Sequence, residues 1–239
     1  MIDAKLIFCA GAIPALLTAI AIIAGGAWHV GRERLASLTA IAIGAAFMIG
    51  MACLEPKLAL TPPASGWHWL FWFAGGAAVI GLVELVLPRK VWMVLLLGAI
   101  VAAVGYYLMG RGIMLRRRGW TSGEAAMWVA LSTIATMLMS VTGVALTEIT
   151  RTPRAAACGF LAIAIVNSAV LGFLGDSESL AKTSGVVTTA AGVIAAFAIL
   201  MPHLNISPSV WFALALLMTG STTASLDEWH GSVPVLAET

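Results

Sequence analysis

Charge is what this sequence has least of. Only 10% of its residues are Asp, Glu, Lys or Arg, and 13 basic against 11 acidic side chains leave a formal net charge of +2. Soluble domains carry about 25% charged residues, so a water-bathed globule is excluded. Without a basic surplus a nucleic-acid partner is excluded as well. Cysteine is equally sparse. Cys9, Cys53 and Cys158 fall within or at the ends of apolar stretches and form no CxxC pair, which reads as small apolar filling rather than a metal or redox centre. The four histidines fall at the edges of apolar runs, His29 and His203 toward one face and His68 and His230 toward the other. None lies at the mid-depth that a bundle haem requires, and none has metal-ligand spacing. No Ser-His-Asp, HExxH, Walker, dinucleotide or GxSxG signature stands in a usable context. The sequence therefore assigns no catalytic, cofactor-binding or metal-binding residue, and leaves any cofactor unknown.

What fills the chain instead is apolar, at 61% of its 239 residues. A helix needs about 20 such residues to cross a hydrocarbon core about 30 Å thick. Runs of that order recur near 6–28, 35–54, 67–87, 91–109, 124–147, 155–174, 183–201 and 209–225. They are rich in Ala and Leu and lack the polar-apolar alternation of a barrel strand. The expectation is an all-α, polytopic integral membrane bundle of about eight transmembrane helices with short loops, a single transmembrane domain over 1–239. The first run, 6–24, exceeds the about 7–15 residues of a signal-peptide core and contains Pro14, so it reads as a retained span.

Punctuation agrees with these boundaries. Pro56, Pro62, Pro63, Pro88, Pro153, Pro202 and Pro208 fall in loops or at helix ends, leaving Pro14 alone placed to kink a helix. Trp28, Trp67, Trp69, Trp92, Trp120, Trp128 and Trp211 lie near run ends and read as an interfacial aromatic belt. Eight crossings put both termini on one side with seven basic residues, against six on the other. The densest cluster, Arg116-Arg117-Arg118, points to cytoplasmic termini in a cell membrane, expected to be a bacterial inner membrane.

Polar residues inside the runs are the functional candidates. In the fifth run Thr133, Thr136, Ser140, Gly143 and Thr147 recur at steps of three and four along one face, while Met127, Leu131, Ile134, Leu138 and Val141 mark another, expected to meet lipid. The seventh repeats the device with Gly185, Thr189, Gly192 and Ala196. Together with Gly81 and Gly143, Gly185 and Gly192 are expected at close helix contacts. Glu84 shares the face of Ala77 and Gly81; as a carboxylate near lipid it needs a proton, a cation such as Arg89 or Lys90, or water. Glu148 faces the same choices, with Arg151 as its nearest sequence partner. Asn167, central in the sixth run beside Ser168, needs a partner on another helix or a substrate.

Two readings stay open. Glu84, Glu148, Asn167, Thr136 and Ser140 would line the path of a small-solute or ion transporter or channel linked to protons or cations. Alternatively the chain is a non-catalytic accessory subunit of a larger, for instance energy-transducing, membrane complex. An intramembrane enzyme has least support. Expected partners are the lipid bilayer and either other membrane subunits or a second copy. Transport predicts a polar cavity joining Glu84 or Glu148 to Asn167, whereas a subunit predicts dry packing.

Overall fold

The elements begin and end where local chemistry demands. Thr121 opens a helix through a reciprocal capping box: its Oγ1 accepts the Glu124 N–H at 3.3 Å, and Glu124 Oε2 accepts the Thr121 N–H at 2.8 Å. Ser207 opens another, its carbonyl accepting the N–H groups of Val210 at 3.0 Å and Trp211 at 3.3 Å. Pro208 then occupies the first helical position, where its missing N–H removes no bond. Before Pro88 the chain leaves the helical region at Leu87, with φ −90° and ψ 150°, as steric conflict with a following proline requires.

In the computed structural model the described residues are 8–9, 13–27, 32–54, 63, 66–87, 91–115, 120–150 and 207–232. They form α1 (Ile13–Ala27), α2 (Arg32–Leu54), a 3-10 turn (Gly66–His68), α3 (Trp69–Val86), α4 (Val91–Met109), a π-type turn (Gly110–Leu115), α5 (Ser122–Thr150) and α6 (Pro208–Ser232). The described residues are all-helical, without strands. Three stretches, Trp69–Val86, Val91–Gly112 and Ser122–Glu148, are long and apolar enough to cross a membrane. The runs expected at 155–174 and 183–201 lie outside the described residues.

Helix α1 is described from Ile13, with residues 8–9 in a π-type turn before it, so the kink expected at Pro14 falls at the edge of the described residues. One boundary differs from the sequence reading for a physical reason. Helix α6 continues to Ser232, past the apolar run, because Asp227 and Glu228 end a hydrophobic stretch without ending a helix.

Contacts set the directions. A methyl added at Gly44 would stand 2.5 Å from the Ala74 carbonyl oxygen, and one at Gly81 2.9 Å from the Ile41 backbone N. Helices α2 and α3 therefore run antiparallel with their backbones nearly touching, as small residues on both faces permit. Glu84 meets Ser209 while Phe73 meets Gly220, so α3 is antiparallel to α6. Gly98 meets Phe212 and Tyr106 meets Thr219, so α4 is parallel to it. Trp211 meets Thr147 and Thr219 meets Thr136, so α5 is antiparallel. Thus α5 ends and α6 begins on one face of the bundle.

At the centre stands α6, touching α2, α3, α4 and α5. Every residue from 210 to 220 is buried, as befits a helix apolar all round. Outward, large apolar side chains are exposed: Val86 at 74%, Leu138 at 63%, Met127 at 61% and Trp92 at 60%. Inward lie Glu84, Ser132, Thr136, Ser140, Ser209, Thr219 and Thr223, all buried. Apolar outside and hydroxyl-lined inside is compatible with a membrane protein, whose outer surface faces hydrocarbon.

Candidate functional site

Two polar clusters are buried along α6. At its start, Ser209 Oγ donates a short hydrogen bond to Glu84 Oε2, and Ser207 Oγ lies 2.8 Å from Ser209 Oγ. Glu84 is 3% exposed and Ser209 fully buried. No ion pair to Glu84 occurs among the described residues. The last turn of α3 is the negative end of its dipole and a poor place for a carboxylate; the first turn of α6, whose second residue is Ser209, offers the positive end. The sequence places Glu84, and only the fold supplies its partner 125 residues away.

Ten residues farther along α6, about 15 Å at 1.5 Å per residue, three hydroxyls form a triangle. Tyr106 Oη lies 3.1 Å from Thr136 Oγ1 and 2.6 Å from Thr219 Oγ1, and the two threonine oxygens are 2.6 Å apart. Each threonine also reaches a carbonyl one turn back, Ser132 O at 2.8 Å and Ala215 O at 2.7 Å. Three hydroxyls hold three protons, so these five contacts are never all hydrogen-bonded at once. If each hydroxyl donates to the next around the ring, every edge of the triangle has its proton. If a threonine turns to its own carbonyl, one edge opens. Tyr106 was not a candidate from sequence; its signal is a phenol in the interior of an apolar helix, which needs a partner when buried.

The remaining candidates distribute unevenly. Ser140 is fully buried and donates to the Thr136 carbonyl at 2.7 Å, lying on α5 between the triangle and Thr147. Glu148 is exposed. Gly81 lies against α2, and a methyl at Gly143 would stand 2.6 Å from Cδ2 of Trp211. Asn167, Gly185 and Gly192 lie outside the described residues. On α5, Met127, Leu131, Ile134, Leu138 and Val141 are all exposed, whereas Ser132, Thr136 and Ser140 are buried.

The aromatic belt needs correction at two positions. Trp211 is fully buried and donates its Nε1 proton to Thr147 Oγ1 at 3.0 Å. Trp128 is 8% exposed and stacks edge-on to Tyr106 with ring centroids 5.7 Å apart. Both belong to the core because a neighbouring helix offers space, at Gly143 for Trp211, that sequence position does not reveal. Trp92, exposed at the start of α4, retains the placement a belt residue has.

Grooves open on the outer surface among the described residues. One of about 540 Å³ between α4 and α5 is lined by Ala103, Tyr107, Arg111, Ala126, Ala130 and Ile134, among others. One of about 470 Å³ between α3 and α4 is lined by Trp69, Trp72, Ile100 and Val104, among others. Neither is lined by Glu84, Thr136 or Ser140. Among the described residues no three His, Cys, Asp or Glu side chains cluster as a metal site would need. Compared with known proteins, the chain matches no protein family, no curated protein and no solved structure.

Proposed function

We propose that this chain is a multi-pass membrane protein that moves protons, or a small solute linked to protons or cations, with Glu84 as the group that binds and releases the proton. The observation that carries this reading is the buried Glu84 carboxylate, bonded by the Ser209 hydroxyl and through it linked to Ser207, with no cation paired to it among the described residues. An acidic side chain in a bilayer interior costs about 2.5–3.5 kcal/mol on insertion scales, and such residues are retained chiefly where an ion or proton must pass. Ser207 and Ser209 supply a relay in which each hydroxyl accepts a proton as it passes its own onward.

The inner part of the route follows the α5–α6 seam past Ser140 to Thr136, where the Tyr106–Thr136–Thr219 triangle has more acceptors than protons. That surplus gives each hydroxyl two orientations, and reorientation is what a relay requires. Glu148, exposed near the end of α5, serves as a collecting charge; Asn167, the remaining candidate, lies outside the described residues. This reading keeps both termini on the cytoplasmic side of a bacterial inner membrane, supported by the run of basic residues Arg116-Arg117-Arg118 in the sequence.

A second reading has its own support. The hydroxyl triangle can satisfy itself without water, and the outer grooves are apolar, as in an accessory subunit packed against partner subunits or a second copy. Reconstitution into liposomes with an entrapped pH dye separates the two. Under an imposed potential the wild-type protein should acidify the lumen, Glu84→Gln should abolish the flux, and Ser209→Ala should reduce it. Normal flux through folded Glu84→Gln removes Glu84 from the route. A wild type that carries no flux and copurifies with stoichiometric partners in mild detergent establishes the subunit reading instead.

A further inference from the structure

Cys9 and Cys53 are separated by 44 residues, yet their Sγ atoms lie 2.6 Å apart. Unbonded carbon atoms settle at about 3.5–4.0 Å, and sulfur is larger. A disulfide brings the two sulfurs to about 2.0 Å. The fold thus holds two thiols within a small displacement of bonding distance, on two different segments. Cys53 sits in the last turn of α2 and Cys9 precedes α1, so the contact joins the two ends of an antiparallel hairpin at the face opposite Glu84. We propose that Cys9 and Cys53 form a redox modification site, a thiol pair that closes to an intramolecular disulfide by exchange with a low-molecular-weight disulfide.

Burial sets the order of events. Cys9 is 2% exposed and out of reach of an external reagent, whereas Cys53 is half-buried at a helix end. The Cys53 thiolate attacks the donor disulfide, giving a mixed disulfide and releasing one donor thiol. The Cys9 thiolate then attacks the Cys53 sulfur, closing the internal disulfide and releasing the second donor thiol. Two electrons pass from the cysteine pair to the donor, and the two thiol protons leave with the released thiols. In a reducing cytoplasm the pair rests as thiols and closes under oxidative challenge. Closure staples the segment before α1 to the end of α2.

Peptide mapping of the full-length protein in detergent, treated with oxidised glutathione and then alkylated, tests this directly. Cleavage after Lys5, Arg32, Arg34 and Lys57 separates the Cys9 peptide from the Cys53 peptide. The expected result is one linked pair of these peptides with the mass of two hydrogens lost, reversed by dithiothreitol, and in Cys9→Ser a glutathione adduct retained on Cys53. Separate stable adducts on both cysteines of the wild type would overturn the proposal. Linkage of either to Cys158, or full alkylation of both after oxidant, would overturn it equally.

Discussion

At the residue scale, the hydroxyl triangle yields a graded prediction. Tyr106→Phe removes one donor but leaves Thr136 and Thr219 2.6 Å apart and able to bond each other. Its cost should be that of one net hydrogen bond, about 0.5–1.5 kcal/mol. Thr136→Val likewise leaves Tyr106 and Thr219 2.6 Å apart and able to bond each other, so it should cost about the same, whereas the two changes combined leave Thr219 only the Ala215 carbonyl and should cost about 1–3 kcal/mol. Thermal unfolding in detergent should rank wild type above either single variant and either single variant above the double; equal midpoints would mean the ring contributes nothing. The spacing of the α5 stripe already marked Thr136 and Ser140 as one face, because 3.6-residue periodicity is a local property. Their partners were not legible, since Thr219 stands 83 residues from Thr136 and only packing brings them together. Trp211 was misread for a related reason: a tryptophan near the end of an apolar run suits a headgroup layer, and the notch at Gly143 that buries it belongs to another helix.

At the element scale, α5 depends on its cap. Thr121 and Glu124 satisfy each other's backbone N–H groups at an exposed helix start, where no tertiary contact substitutes for them. Thr121→Ala should cost about 0.5–2 kcal/mol and speed hydrogen exchange at the first-turn amides of α5 while leaving those around Ser140 slow. Uniform acceleration along the helix would place the effect in packing instead. The run at 124–147 was legible because about 20 apolar residues admit few other solutions. Helix ends were less so: apolarity measures hydrocarbon, whereas caps and prolines stop a helix, and the two coincide at Pro88 but not at Asp227.

At the scale of the whole molecule, the distribution of polarity is reversed relative to a water-soluble domain. Large apolar side chains such as Leu138 and Met127 face outward while Glu84 and the hydroxyls face inward. The purified chain should therefore be monodisperse in detergent and precipitate on its removal, as size-exclusion chromatography would report; a monodisperse species in plain buffer would end the membrane reading. The all-helical class was legible in composition alone. That the final apolar run would be the one surrounded was not, since 124–147 and 209–225 look equally greasy and only contacts distinguish a perimeter from an axis.

That arrangement bears on biogenesis. A ribosome makes α6 after α2 to α5, so those four helices exist before the helix they all contact. Until α6 arrives, the hydroxyl triangle lacks its Thr219 corner and Glu84 lacks Ser209. The polar interior is therefore complete only once α6 is in place, which makes the arrival of that helix the step that seals the core.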